Sequence, residues 1–134
     1  MFSLSYIKYI LVKKGFYGMI RKKSQFKHEV IHNMCGGAGD TLIDNAFSAD
    51  EITSKVSACC TVTLEKGSSV GKHGHQTDDE IYYIISGKGS VDEGDGVRKP
   101  VEAGDAILTG NGGFHDIKNE GEAPLVFLAV IIDY

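Results

Sequence analysis

The chain has 134 residues and five histidines, two of which stand one residue apart in HGHQTDDE, residues 73–80. Side chains of an extended segment repeat every two residues, so His73 and His75 project to one face, with backbones about 6.6 Å apart. That separation lets two imidazoles converge on one ion. Glu80 follows after QTDD as a third donor, and GFHDIKN supplies a fourth from a distant segment, His115, on one strand face with Ile117 and Asn119. Three neutral imidazoles and a carboxylate suit a borderline divalent transition metal, Mn, Fe, Co, Ni or Zn, and leave coordination positions for water or substrate. The plainer alternative is that the pair decorates a strand beside a solvated turn, which a lone His-x-His does more often. Asp78 and Asp79 read as that turn. Tyr82 shares the parity of Glu80, so its hydroxyl either orients a ligand from the outer shell or is a core hydroxyl satisfied locally. No residue stands out as catalytic.

Such residues need strands to hold them, and the sequence reads as strands and turns. VSACCTVTL alternates Val56, Ala58, Cys60, Val62 and Leu64 against polar neighbours, the period-2 signature of a half-buried strand. EIYYIISG and LVFLAVII are apolar on both faces, which calls for cover on both sides. GKGSVDEGDGVRKPVEAGD reads as a hairpin turning at Glu93 to Gly96, and AILT and HDIKN as further strands. QFKHEVIHN alternates weakly, with Phe26, His28, Val30 and His32 on one face; His28 and His32 read as strand or surface residues. CGGAGD reads as a glycine-rich turn and TLIDNAF as a strand. Ser48 and Glu51 have capping-box spacing, so SADEIT is expected to hold one helical turn. About ten short strands with almost no helical period point to an all-β antiparallel sandwich or barrel. The outer faces of the doubly apolar strands then need a second layer or a second subunit, and a homodimer is the economical expectation.

Length and charge narrow the classes. A chain this long is most simply one domain. The first 28 residues hold seven of the 14 lysines and arginines and none of the 18 acids, so the remainder carries −11. An acidic body argues against nucleic acid as a partner. The opening FSLSYIKYILV, broken by Lys8, spans about half the ~20 apolar residues of a membrane span, so no membrane association is expected. It lacks the features of a secretory signal; a transit peptide and upstream sequence before a start at Met19 are its two readings. Three cysteines, Cys35 and the adjacent Cys59 and Cys60, suggest no disulfide framework and fit a reducing, cytoplasmic setting.

The two histidine segments also resemble a known family. GSSVGKHGHQTDDEIYYIISG is similar to the first motif of the cupin superfamily, G-x5-H-x-H-x4-E-x6-G, with Gly67, His73, His75, Glu80 and Gly87 in place. GDAILTGNGGFHDIKN resembles the second, G-x5-P-x-G-x2-H-x3-N, through Gly104, Gly112, His115 and Asn119, with Gly110 where the family has proline. The resemblance, to small single-domain cupins of the oxalate decarboxylase-like group, implies a jelly-roll β-barrel, the double-stranded β-helix. It implies one such domain over residues 19–134 after an N-terminal extension over 1–18. It further implies metal ligation by His73, His75, Glu80 and His115 at the barrel mouth, frequent dimerisation, and an early strand extending a sheet across the dimer.

Cupins include dioxygenases, oxalate decarboxylases, isomerases, epimerases, lyases and modules that only bind, so fold and metal do not choose a reaction. The leading expectation is a metal-dependent enzyme acting on a small carboxylate or oxygenated metabolite, of decarboxylase, dioxygenase or isomerase type. The alternatives are a non-catalytic module that binds or senses a small molecule, and a scaffold with a structural metal. A titratable group beside the ion and not engaged as a ligand favours chemistry; an apolar pocket without one favours binding. Oxalate chemistry usually needs a cation beside the metal. Arg21 and Arg98, the only arginines, lie in the basic leader and in the hairpin between the motifs.

Overall fold

The computed structural model describes residues 18–134; the expected extension over 1–18 lies outside them, Gly18 excepted. Ten strands follow in order: β1 (Lys27–His32), β2 (Asp40–Phe47), β3 (Val56–Leu64), β4 (Ser69–Gly74), β5 (Asp78–Ser86), β6 (Lys88–Asp92), β7 (Arg98–Glu102), β8 (Ala106–Thr109), β9 (Phe114–Asn119) and β10 (Leu125–Asp133). They form two antiparallel sheets, a six-stranded one in the order β1-β2-β3-β10-β5-β8 and a four-stranded one in the order β4-β9-β6-β7. This is the all-β antiparallel architecture that the alternation and turn spacing predict, in the jelly-roll form that the family resemblance implies. Among the described residues, no helix is long and apolar enough to cross a membrane.

Alternate residues of the central strands fill the core: Leu64 from β3, Ile84 from β5, Ile117 from β9, and Leu125 and Phe127 from β10 are all fully buried. β3 turns Cys60, Val62 and Leu64 inward, the parity its alternation predicts. The outer residues of β5 and β8 are bare, with Ile81 36%, Tyr83 47%, Ile85 47% and Leu108 68% exposed. The two-sided apolarity of EIYYIISG therefore corresponds to one packed and one uncovered face.

Two local expectations are corrected, and β1 settles a parity that the sequence left open. In β1 the side chain that packs against the core is Ile31, while Val30 is exposed, so the opposite parity from Phe26, His28, Val30 and His32 faces inward. The strand lies outermost in its sheet, paired only with β2, and its two histidines each meet an aspartate of that neighbour, His28 with Asp44 and His32 with Asp40. Residues 48–51 form a turn, not a helix: the Ser48 N–H donates to the Glu51 carboxylate at 2.9 Å and the Glu51 N–H to the Ser48 carbonyl at 3.1 Å. Asp78 and Asp79 belong to β5 and are not a solvated turn.

CGGAGD also does more than turn the chain. Met34–Gly36 is a short 3-10 helical turn lying against β4, and the approach is closer than any side chain allows. A Cβ on Gly37 would stand 2.1 Å from the Ser69 carbonyl oxygen, and one on Gly71 would stand 2.1 Å from that of Cys35. Glycine at both positions seats this turn on the rim of the barrel, beside the histidines.

Candidate metal centre

Strand register assembles the site. His73 lies directly opposite His115 across the β4–β9 pair, so both rings leave the sheet on the same side. His75 follows the end of β4 but keeps strand-like bonding: its N–H donates to the Gly113 carbonyl and its carbonyl accepts from the Gly112 N–H, each at 2.9 Å. Glu80 comes from β5 in the facing sheet, opposite Thr109 of β8. The four side chains predicted from the sequence meet in one cluster that can hold a single metal ion, with every pair of donor atoms within 4.8 Å.

The outer nitrogens decide what the inner ones present. The His73 Nδ1–H donates to the Gly71 carbonyl at 2.8 Å, and the His75 Nδ1–H to the Asp78 carboxylate at 2.7 Å. Both partners only accept, so both rings carry their proton on Nδ1 and turn a lone pair inward from Nε2. The His115 Nδ1 meets the Thr109 hydroxyl at 2.8 Å. Inside, the Nε2 of His115 is 2.9 Å from that of His73 and 3.1 Å from that of His75. The Glu80 Oε2 is 2.9 Å from the His75 Nε2, 3.0 Å from that of His115 and 3.5 Å from that of His73.

Lone pairs held this close repel one another unless a cation stands among them, and the separations fit one. At a metal–ligand distance of about 2.1 Å, adjacent donors are about 3.0 Å apart on an octahedron and about 3.4 Å apart on a tetrahedron. Four of the five separations lie at 2.9–3.1 Å, the octahedral edge. Four donors on an octahedron leave two positions for a ligand.

Electrostatics agree with that donor set. Burial opposes the charge on Glu80, but the imidazoles of His115 and His73 that face it outweigh burial and hold its pKa at about 2, so it is a carboxylate. Burial pushes the pKa of His115 down and keeps the ring neutral. Burial would do the same to His73, but Glu80 and the Gly71 carbonyl outweigh it, and the net shift is upward. Tyr82 lies flat against His115, with ring centroids 4.8 Å apart and planes at 18°, and touches Phe127 on its other side. Its burial and the nearby Glu80 raise the phenol pKa far above its ordinary value. Tyr82 is therefore a packed hydrogen-bond donor and not a base.

A cavity of about 210 Å³ opens onto His73, His75 and Glu80. Its walls are mostly apolar, with Met34, Ile43, Val62, Phe127 and Ile131 among them, and none of the described lysines or arginines lines it. Two larger hollows, of about 590 and 540 Å³, touch none of the four donors. The two arginines are committed elsewhere: Arg21 pairs with Glu51 at 2.6 Å, and Arg98 grips both oxygens of Asp116 at 2.8 and 3.0 Å.

Sequence reasoning missed the outer shell. Asp78, Thr109 and the Gly71 carbonyl orient the three rings, and the 110–113 loop clasps both backbone groups of His75. An acid three residues after a candidate ligand histidine is the one signal that pointed to any of them.

Two antiparallel sheets closed around a core, with three imidazoles and a carboxylate converging at one end, define a jelly-roll barrel with a place for one metal ion. Residues 60–131 match the cupin domain family, and the chain belongs to it. It is 40% identical over 115 residues to an oxalate-binding protein of Thermotoga maritima, covering 86% of this chain and 94% of that one. A crystal structure of a predicted oxalate decarboxylase from the same organism superposes with a TM-score of 0.82 at 38% identity, covering 87% of this chain and all of the other. A polyketide cyclase of Streptomyces resistomycificus, 21% identical with a TM-score of 0.70 over 85% of this chain and 79% of its own, shares the fold.

Proposed function

We propose that this cupin binds one divalent transition metal through His73, His75, Glu80 and His115, and uses it to capture a small chelating carboxylate. The observation that carries the reading is that the titratable groups packed around the four donors are protonated or already engaged, leaving Glu29 at the exposed edge of the cavity as the one uncommitted carboxylate on its described wall. Tyr82 is protonated, Asp78 is engaged by His75, and burial drives the Cys60 thiol up to about 11 and raises that of Cys35. The similarity to an oxalate-binding protein supports the same class of ligand. A bound ion supplies Lewis acidity for two adjacent ligand oxygens. The protein orients the rings, excludes water with apolar walls and keeps the carboxylate of Glu80 ionised.

The test is metal analysis of the full chain, followed by thermal melts with oxalate and related acids. One ion per chain is expected, and ligand at 100 times its Kd adds about 2.7 kcal/mol, a rise in Tm of roughly 10 °C. A metal-loaded protein whose Tm no such acid moves refutes the reading. The catalytic alternative, a decarboxylase, dioxygenase or isomerase, has one residue in its favour: Glu29, on exposed β1, is the only carboxylate besides Glu80 on the cavity wall. Carbon dioxide release or oxygen uptake that disappears in Glu29→Gln would establish that alternative.

The uncovered face of β5 and β8 supports a homodimer, and the three free thiols support a cytoplasmic setting. Leu108→Asp places a charge where the patch would be buried, and light scattering is expected to report a monomer in place of a dimer. A parent protein that is already monomeric at micromolar concentration rules the dimer out.

A further inference from the structure

Charge balance around the cavity narrows the ligand further, on the basis of the chelate reading above. A divalent ion together with the Glu80 carboxylate carries a formal charge of +1. A monoanion that chelates through two oxygens neutralises it, whereas a dianion overshoots to −1. Excess negative charge is costly where nothing compensates it. Among the described residues the wall carries no lysine or arginine, and its one further charged side chain is Glu29, of the wrong sign. Arg21 and Arg98 are tied to Glu51 and Asp116 and do not line the cavity.

The space beyond the ligand atoms is also of a definite kind. Oxalate on a metal would direct its two remaining oxygens outward, where most of the wall, Ile43, Val62 and Phe127 among it, offers no donor to replace water. Among the described residues there, only Asn45 and Tyr82 besides the ligand histidines carry an N–H or O–H side chain. A ligand with an alkyl group at that position would instead bury it. The cavity, about 210 Å³, has room for about seven water molecules at about 30 Å³ each, which suits a short chain.

We infer that the ligand this cavity is shaped for is a 2-oxo monocarboxylic acid with a short apolar side chain, chelating through its carboxylate and keto oxygens, in preference to oxalate. The keto and carboxylate oxygens of such an acid lie on adjacent carbons and close a five-membered chelate ring, as oxalate does. The two ligands therefore chelate through the same ring and differ in charge and in what they place in the cavity.

Calorimetric titration of the manganese-loaded full chain with oxalate, pyruvate, 2-oxobutyrate and 2-oxopentanoate tests the inference. Affinity is expected to rise about fourfold for each added methylene, the factor equivalent to about 0.8 kcal/mol of apolar burial, and to exceed that of oxalate by 2-oxopentanoate. Ala58 lines the same cavity and is only partly buried, so Ala58→Leu fills space without overpacking the centre of the core. In that variant the gradient along the series is expected to flatten. Tightest binding by oxalate, with affinity falling as the chain lengthens, would overturn the inference and leave the chelate reading standing. No binding by any of the four acids to a protein with one manganese per chain would overturn the chelate reading itself.

Discussion

A His75→Ala protein is expected to hold a divalent ion at least about 100-fold more weakly than the parent, and to lose ligand-induced thermal stabilisation with it. Loss of an outer-shell partner alone typically costs 10–100-fold, and here a donor itself is removed. His75 is the most informative of the three rings to remove. It is buried, and its Nε2 stands 3.1 Å from that of His115 and 2.9 Å from the Glu80 carboxylate, so no solvent molecule replaces it without disturbing both. The His73 side chain, 21% exposed, lies nearest to solvent, and water substitutes for it more readily. His73→Ala should therefore show the smaller loss. The backbone of His75, not its ring, clasps the 110–113 loop, so the alanine variant keeps those hydrogen bonds and its metal-free Tm should fall only modestly. Metal analysis after dialysis, together with metal-free melts, separates loss of the site from loss of the fold. Full occupancy in His75→Ala would show that the ion sits elsewhere.

The parity of side chains along single strands carried most of what could be read in advance. His73 and His75 on one face, Glu80 and Tyr82 on one face, and the inward set of β3 all follow from a two-residue period, which each segment displays by itself. What the period does not carry is register between strands far apart in the chain. Thr109 reaches His115 because β8 pairs with β5 and β9 with β4, and no local pattern in AILT or FHDIKN encodes those neighbours. The same limit explains β1: a weakly alternating segment with one neighbour leaves its parity to the packing of a single residue, Ile31. Gly110 stands where the family motif has proline. In the structure a Cβ there would come within 1.8 Å of the Asp79 carboxylate, which also accepts a hydrogen bond from the Tyr134 hydroxyl at 2.8 Å. That hydroxyl in turn accepts the Asn111 N–H, so side chains brace the loop where a proline ring would otherwise stiffen it. Such an exchange is legible only when both partners are in view.

The adjacent acids Asp78 and Asp79 then separate two kinds of support, and the larger effect belongs to Asp78. Asp78→Ala is expected to weaken metal binding by 10–100-fold with little change in the metal-free Tm. Its carboxylate accepts the His75 Nδ1–H at 2.7 Å, which fixes the ring's tautomer and aims the Nε2 lone pair inward. Without it, water can take over part of that role, because the Asp78 side chain is 24% exposed, and this places the expected loss toward the lower end of the range. Asp78→Asn retains an acceptor oxygen but not the charge that makes the ring a stronger donor to a cation, so its affinity should fall between those of the parent and the alanine variant. Asp79→Ala should behave in the opposite way. It loses the Tyr134 contact and about 1 kcal/mol of stability, while the three rings keep their partners and metal affinity changes little. Calorimetric metal titration paired with melts of the metal-free proteins reads both quantities. An Asp78→Ala affinity within twofold of the parent would mean that the strand, and not the carboxylate, orients His75.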